Sequence, residues 1–249
     1  SARRLPGMAD HALSEDVAQP GLSPQTPVAS SFLPVSWFNQ SAYYPSVYFS
    51  TLPAATVHAY TDYGFSPFQH LWALDFWAAG VGQKPKWLTT MSNGRDLILQ
   101  QGLLAVGRGA AGVDLKGSDP AASRLLAQLL TAYGPMFRRL APESDVAIIT
   151  SLRQQFADNK LVGKWMGYTG GSYFDLYTKL WYARRPPAVL LEEELTPERL
   201  RAFRAVFLVH QQVPFPAPAA QALTGFIAAG GRVFKDEASG ADLPGQVFS

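Results

Sequence analysis

From residue 56 onward the chain repeats one rhythm: a short β-prone run, a stretch with helical spacing, then another β-prone run. This alternation constrains the fold more than any other feature. Consecutive strands separated by helices pair in parallel through right-handed crossovers. Residues 56–63 (TVHAYTDY) alternate as a strand does. Residues 68–79 follow as a helix, with Phe68, Leu71, Trp72 and Phe76 on one face and Gly80 and Gly82 at its end. Residues 86–91 form the next strand, 95–108 the next helix and 112–115 a third strand. Residues 121–140 read as a long helix kinked near Gly134 and Pro135.

After Pro142 the pattern restarts. Strands are predicted at 145–150 (DVAIIT), 188–191 (AVLL), 205–210 and 232–235, and helices at 172–183 and 218–229. Thr196, Pro197 and Glu198 supply a cap, a first-turn proline and a first-turn acid for another helix. The fold class is α/β, and the second half is a flavodoxin-like, doubly wound parallel sheet domain spanning 142–249. Residues 1–55 are read as an extended N-terminal arm with loops, rich in Pro, Ser, Ala and Gly, with an aromatic stretch at 36–50.

Composition removes several classes of function. The chain has 249 residues, 47% of them hydrophobic, so it can bury a sizeable core. Its net charge is +2, too balanced for nucleic acid or an anionic membrane to be an expected partner. There is no cysteine, which excludes disulfides, thiolate nucleophiles and cysteine-held metals. The four histidines, His11, His58, His70 and His210, form no HxxxH or HxH pair. Residues 92–96 (SNGRD) lack the glycines and lysine of a phosphate loop, and 167–171 (GYTGG), flexible enough for a ligand loop, carry no specific phosphate fingerprint, so no cofactor is expected. No apolar stretch is long enough to span a bilayer, and residues 1–16 have no apolar run that would make a secretory signal. The compartment is left open between bacterial cytoplasm, periplasm and exterior.

Several charged residues have simple structural roles. Asp75, within LWALDFW, is expected to contact a neighbouring Arg or Lys. Glu192, Glu193 and Glu194 read as a solvated run ahead of the Thr196 cap. The pairs Arg138, Arg139 and Arg184, Arg185 read as solvated helix ends, and Ser92 or Asn93 as the cap of the helix at 95.

The segment DVAIITS at 145–151, the helix starting GGSYFDLY at Gly170, and the run at 203–234 with its Phe-Ile-x-x-Gly-Gly element carry a resemblance. They resemble the glutamine-amidotransferase-like domain that follows the barrel in trimeric β-galactosidases. HAY at 58–60, PKWLTTMS at 85–92 and LILQQGLLAVGRGAAGV at 97–113 are similar to the last strands of the associated barrel. The resemblance implies a partial (β/α) barrel-like domain at 56–141, a carbohydrate or small polar ligand, and a homo-oligomer, specifically a trimer. A whole barrel takes about 250 residues, so the resemblance also implies that the rest of the barrel is reduced or lies in sequence outside this chain.

Retaining glycosidases need two carboxyl groups about 5 Å apart. In barrels of this kind the strand that PKWLTTMS resembles ends in a nucleophilic Glu, whereas here Thr89, Thr90, Met91 and Ser92 stand there. Barrel sites sit at the C-terminal strand ends, where Asp62 and Asp114 are the carboxylates and hence the catalytic candidates. Their structural alternatives are a turn cap before Gly64 for Asp62 and a surface ion pair with Lys116 for Asp114. His58, Tyr60, Thr90, Asn93 and Trp37 are the candidate substrate-binding residues. The expected function is a divergent glycoside-hydrolase-like protein without an intact carboxylate pair, acting in carbohydrate binding or assembly. The alternative is an active β-glycosidase whose acid/base lies in sequence outside this chain.

Overall fold

The structure, a computed structural model, describes residues 29–32, 54–59, 67–81, 85–90, 94–115, 119–137, 143–151, 153–154, 157 and 168–248. These residues form two parallel sheets. In the first, β1 (Ala29–Phe32), β2 (Ala54–Ala59), β3 (Lys86–Thr90) and β4 (Gly112–Leu115) lie side by side in chain order. β3 is flanked by β2 and β4, as the sequence pattern requires. Strand β1 corrects one expectation: it falls within the arm and pairs with β2, so parallel pairing starts before residue 56. Among the described residues this sheet is open, with β1 and β4 at its edges.

Helix α1 (Pro67–Val81) joins β2 to β3, α2 (Arg95–Gly107) joins β3 to β4, and α3 (Pro120–Phe137) follows. With strands in chain order, right-handed crossovers put the connecting helices on one face. Leu88 packs there with α1, while Val113 and Leu115 pack with Ile98, Ala122 and Leu126. Gly102 lets α2 approach α3 closely: a Cβ there would lie 2.4 Å from the Leu126 Cδ2. Helix α2 starts from Gly94, which makes no side-chain cap; Ser92 and Asn93, the expected caps, lie outside the described residues.

The second sheet contains β5 (Val146–Thr150), β6 (Ala188–Leu191), β7 (Ala205–Leu208), β8 (Arg232–Asp236) and β9 (Gln246–Phe248). Its order is β6-β5-β7-β8-β9, all parallel. Reversal of direction at β5 places helices on both faces, as in doubly wound sheets. All five residues of β5 are buried. Ile148 meets Tyr173 and Tyr177 of α4 (Tyr168–Tyr182). Ala147 and Ile149 meet Leu200 of α5 (Pro197–Leu200) and Leu223 and Phe226 of α6 (Ala217–Ala228). Residues 168–171, expected in a loop, form the first turn of α4.

Two of the caps legible in the sequence are present, whereas Gly80, expected to end its helix, lies within α1. The Thr196 Oγ1 accepts the Arg199 N–H at 3.2 Å. Gly230 closes α6 at φ +91°, a conformation that excludes most side chains. Helix α1 does more than connect two strands. Its Leu71, Trp72, Leu74 and Phe76 share one apolar cluster with Leu88 of the first sheet and Ile148, Val189 and Leu191 of the second. Trp72 stacks on Tyr173 at 5.9 Å between centroids. The two sheets therefore share core.

Candidate functional site

On the first sheet, the register aligns His58 with Thr89 and Thr89 with Asp114. Thr89 and Asp114 lie on the face opposite Leu88 and Val113, because side chains alternate along a strand. The Thr89 hydroxyl donates to the Asp114 Oδ2 at 3.2 Å. Thr89 is buried, whereas Asp114 is exposed. Two residues before Thr89, Trp87 is 42% exposed and its ring lies across Gly112, where a Cβ would come within 2.5 Å of the Cζ3. Gly112 thus leaves room for a flat aromatic ring beside the Thr89–Asp114 pair.

The register therefore aligns one catalytic candidate, Asp114, with the strand position of His58 through Thr89, whereas Thr90 pairs with Ala59 and Leu115. Asp62, Tyr60, Asn93 and Trp37 lie outside the described residues, as do Arg138 and Arg139. Sequence reasoning missed Trp87 as a surface aromatic. The signal was the small residue at 112, which only the register of β3 against β4 places beside the ring.

In the second sheet, the crevice at the carboxyl ends of β5 and β7 is the position where doubly wound sheets usually bind ligands. Here the chain's own polar groups bond to one another. The Gln154 Oε1 accepts the Gln212 and Val213 N–H groups at 2.6 and 2.8 Å. Asp236 accepts the His210 N–H at 2.9 Å and the Ser239 hydroxyl at 2.6 Å. His210 is held at φ +49°. The Ser151 hydroxyl donates to the Glu192 Oε2 at 2.7 Å.

Glu192 corrects a second expectation. It is 6% exposed and also accepts from the Arg153 Nε at 3.2 Å, so the acidic run is not a solvated loop. Glu194 accepts the Leu191 N–H at 2.9 Å. Burial raises its carboxyl above the ordinary 4.5; the Leu191 hydrogen bond and the Arg199 charge oppose this, and Glu193 adds to it. The folded state then holds that proton more tightly than the unfolded state. Stability must fall as pH rises from 4.5 through the raised value. Glu194→Gln keeps an acceptor for Leu191 and removes the titration. Its Tm relative to the unmodified chain is expected to rise with pH across that window and then level off. A difference independent of pH would exclude this role for Glu194.

Asp75 is paired as its sequence context suggests. It accepts two hydrogen bonds from Arg108 and one from the Tyr177 hydroxyl. Among the described residues no group of three or more metal-ligating side chains is placed to hold an ion, and no helix is long and apolar enough to cross a membrane.

A singly wound parallel sheet sharing core with a doubly wound one defines an α/β chain of mixed architecture. Its fold is similar to that of β-galactosidases. The crystal structure of the enzyme from Bacillus circulans sp. alkalophilus matches with a TM-score of 0.68 at 15% identity, over 87% of this chain and 36% of that one. The enzyme from the psychrophilic Marinomonas ef1 matches at 0.63 and 10% identity, over 87% of this chain and 40% of that one. The polyextremophilic enzyme from the Antarctic haloarchaeon Halorubrum lacusprofundi matches at 0.62 and 15%, over 89% and 39%. The chain thus spans well under half the length of these structures, and at such identities the likeness is one of fold. No family model matches the sequence, and no curated protein matches it.

Proposed function

We propose that this chain is a divergent, glycoside-hydrolase-like unit that binds carbohydrate on the open face of its first sheet and does not cleave it. The observation that carries this is the row at the strand ends, where Thr89 stands between His58 and Asp114. Double displacement at a sugar needs a nucleophile and an acid/base. Asp114 is a single carboxylate, already accepting a hydrogen bond from Thr89. What the face does offer suits binding: the exposed Trp87 ring can stack on the apolar face of a pyranose, and the exposed Asp114, oriented by the buried Thr89, can meet its hydroxyls. His58 and, from outside the described residues, Tyr60, Asn93 and Trp37 complete the proposed binding set. The barrel-like nature of 56–141, the boundary near 142 and assembly as a trimer belong to the same proposal.

A second reading is favoured by coverage of only 36–40% of the similar enzymes. In it, the chain contributes to an active β-glycosidase whose acid/base lies in sequence outside it, with Asp62 or Asp114 as the other carboxylate. One experiment separates the two. The chain is assayed on chromogenic β-glycosides, and galactoside binding is followed by calorimetry. The expected result is no turnover above buffer, measurable binding, and binding weakened about tenfold or more by Trp87→Ala. Turnover abolished by Asp62→Asn or Asp114→Asn would overturn the non-catalytic reading. Absence of both turnover and binding would overturn the carbohydrate reading.

A further inference from the structure

At the carboxyl ends of the second sheet the chain's own polar groups bond to one another, and a cavity lies at the other end. A space of about 810 Å³ opens beneath the amino ends of β5, β7 and β8, where α4, α5 and α6 terminate. Four arginines line it, Arg185, Arg201, Arg204 and Arg232, and Asp145 is its one acidic residue. Arg185 pairs with Asp145 at 2.5 Å. Arg201, Arg204 and Arg232 are exposed and have no ion-pair partner among the described residues. Basic residues at helix C-termini are often explained by the helix dipole, which offers about half a negative charge per helix. Three helix ends, one of them belonging to a helix of only four residues, do not balance three unpaired guanidinium groups.

We propose that this groove binds a small anion carrying two or more phosphate or carboxylate groups. Guanidinium is planar, permanently charged and matches either group with two parallel hydrogen bonds. Phe203 and Phe226 contribute apolar wall, which suits a ligand with a ring or hydrocarbon body beside its charges. The groove holds no nucleophile, and its single carboxylate is engaged by Arg185, so its role is binding. The four arginines come from separate places along the chain: the exit of α4, the end of α5, the start of β7 and the start of β8. The site exists only in the folded sheet and is independent of the glycan-binding face.

The test uses the full chain with two probes, tripolyphosphate and citrate, measured by calorimetry at about 50 mM and about 200 mM salt. At least one probe is expected to bind, more weakly at the higher salt. The preferred probe distinguishes a phosphate site from a carboxylate site. Arg204→Gln with Arg232→Gln is expected to weaken binding about tenfold or more. Arg124→Gln, exposed on α3 and outside the groove, is expected to leave it within about twofold. Circular dichroism and Tm confirm that the exposed substitutions leave the fold intact. No binding of either probe at the lower salt, or equal losses in the groove and control variants, would overturn the proposal.

Discussion

Asp75→Asn is expected to destabilise the protein by about 3–5 kcal/mol, the range for stranding one partner of a buried ion pair. Asp75 and Arg108 have side chains only 7% and 11% exposed. The Arg108 Nε and Nη2 donate to the Asp75 Oδ1 and Oδ2 at 2.8 and 2.6 Å, a two-point fork that a neutral amide cannot replace. The Tyr177 hydroxyl donates to the same Oδ2 at 2.6 Å. Burial holds the Tyr177 pKa well above 10, reinforced by the Asp75 charge, so the phenol remains a donor. For Arg108, burial opposes its charge, but the Asp75 charge and hydrogen bond outweigh that and the net direction is upward. Trp181 covers the guanidinium at 5.5 Å. Removing the carboxylate would leave that cation enclosed by aromatic rings and without a counter-charge.

The pair also has a mechanical role. Asp75 lies on the helix shared by the two sheets, Arg108 follows α2, and Tyr177 belongs to α4. Urea unfolding of Asp75→Asn, Arg108→Met and the double variant Asp75→Leu with Arg108→Met measures the effect. Each single change should be far worse than half the double, because apolar replacement of both partners leaves no stranded charge. A loss below about 1 kcal/mol for Asp75→Asn would show that water reaches the guanidinium and that the pair is not a clasp.

Lys235→Met is expected to cost about 3 kcal/mol and to loosen the end of the chain. Lys235 is 7% exposed, and its Nζ donates to the carbonyls of Gly240, Ala241 and Leu243 at 3.0, 2.9 and 2.7 Å. All three donor positions of the ammonium are used, which folds the loop between β8 and β9 over the sheet edge. Methionine keeps the apolar stem but leaves three carbonyls without a donor. Hydrogen bonds to charged groups contribute about 1.5–3 kcal/mol each, and part of that is recovered when the loop reaches water. Amide hydrogen exchange should quicken across 237–248, including β9, while β5 stays protected. Unchanged exchange in that segment would rule out the role assigned to Lys235.

Much of the architecture was legible because its signals are local. The run VAIIT is apolar at its first four positions, and β5 is buried at all five. Thr196 with Pro197 marks a helix start, and Gly230 with Gly231 a helix end, because cap geometry depends on the residues at the cap. The strand that the pattern leaves out, β1, reads ASSF and has little β propensity; the edge of β2 supplies its partners. The candidate site was half legible. The threonines at the end of β3 are visible in the sequence, but the Thr89–Asp114 contact spans 25 residues and requires the register.

By itself, the amino-acid sequence determined the alternation of strand and helix, the parallel sheets, the absence of thiol chemistry and the neutral side chains at the end of β3. Only the tertiary structure decided that α1 serves both sheets, that Asp75 meets a tyrosine 102 residues away, that Glu192 is buried, and that four scattered arginines line one groove. The physical reason is range. Backbone preference and hydrophobic period act over a few neighbouring residues, whereas burial and charge pairing depend on whatever the packed chain brings within a few ångströms, and no local pattern carries that information.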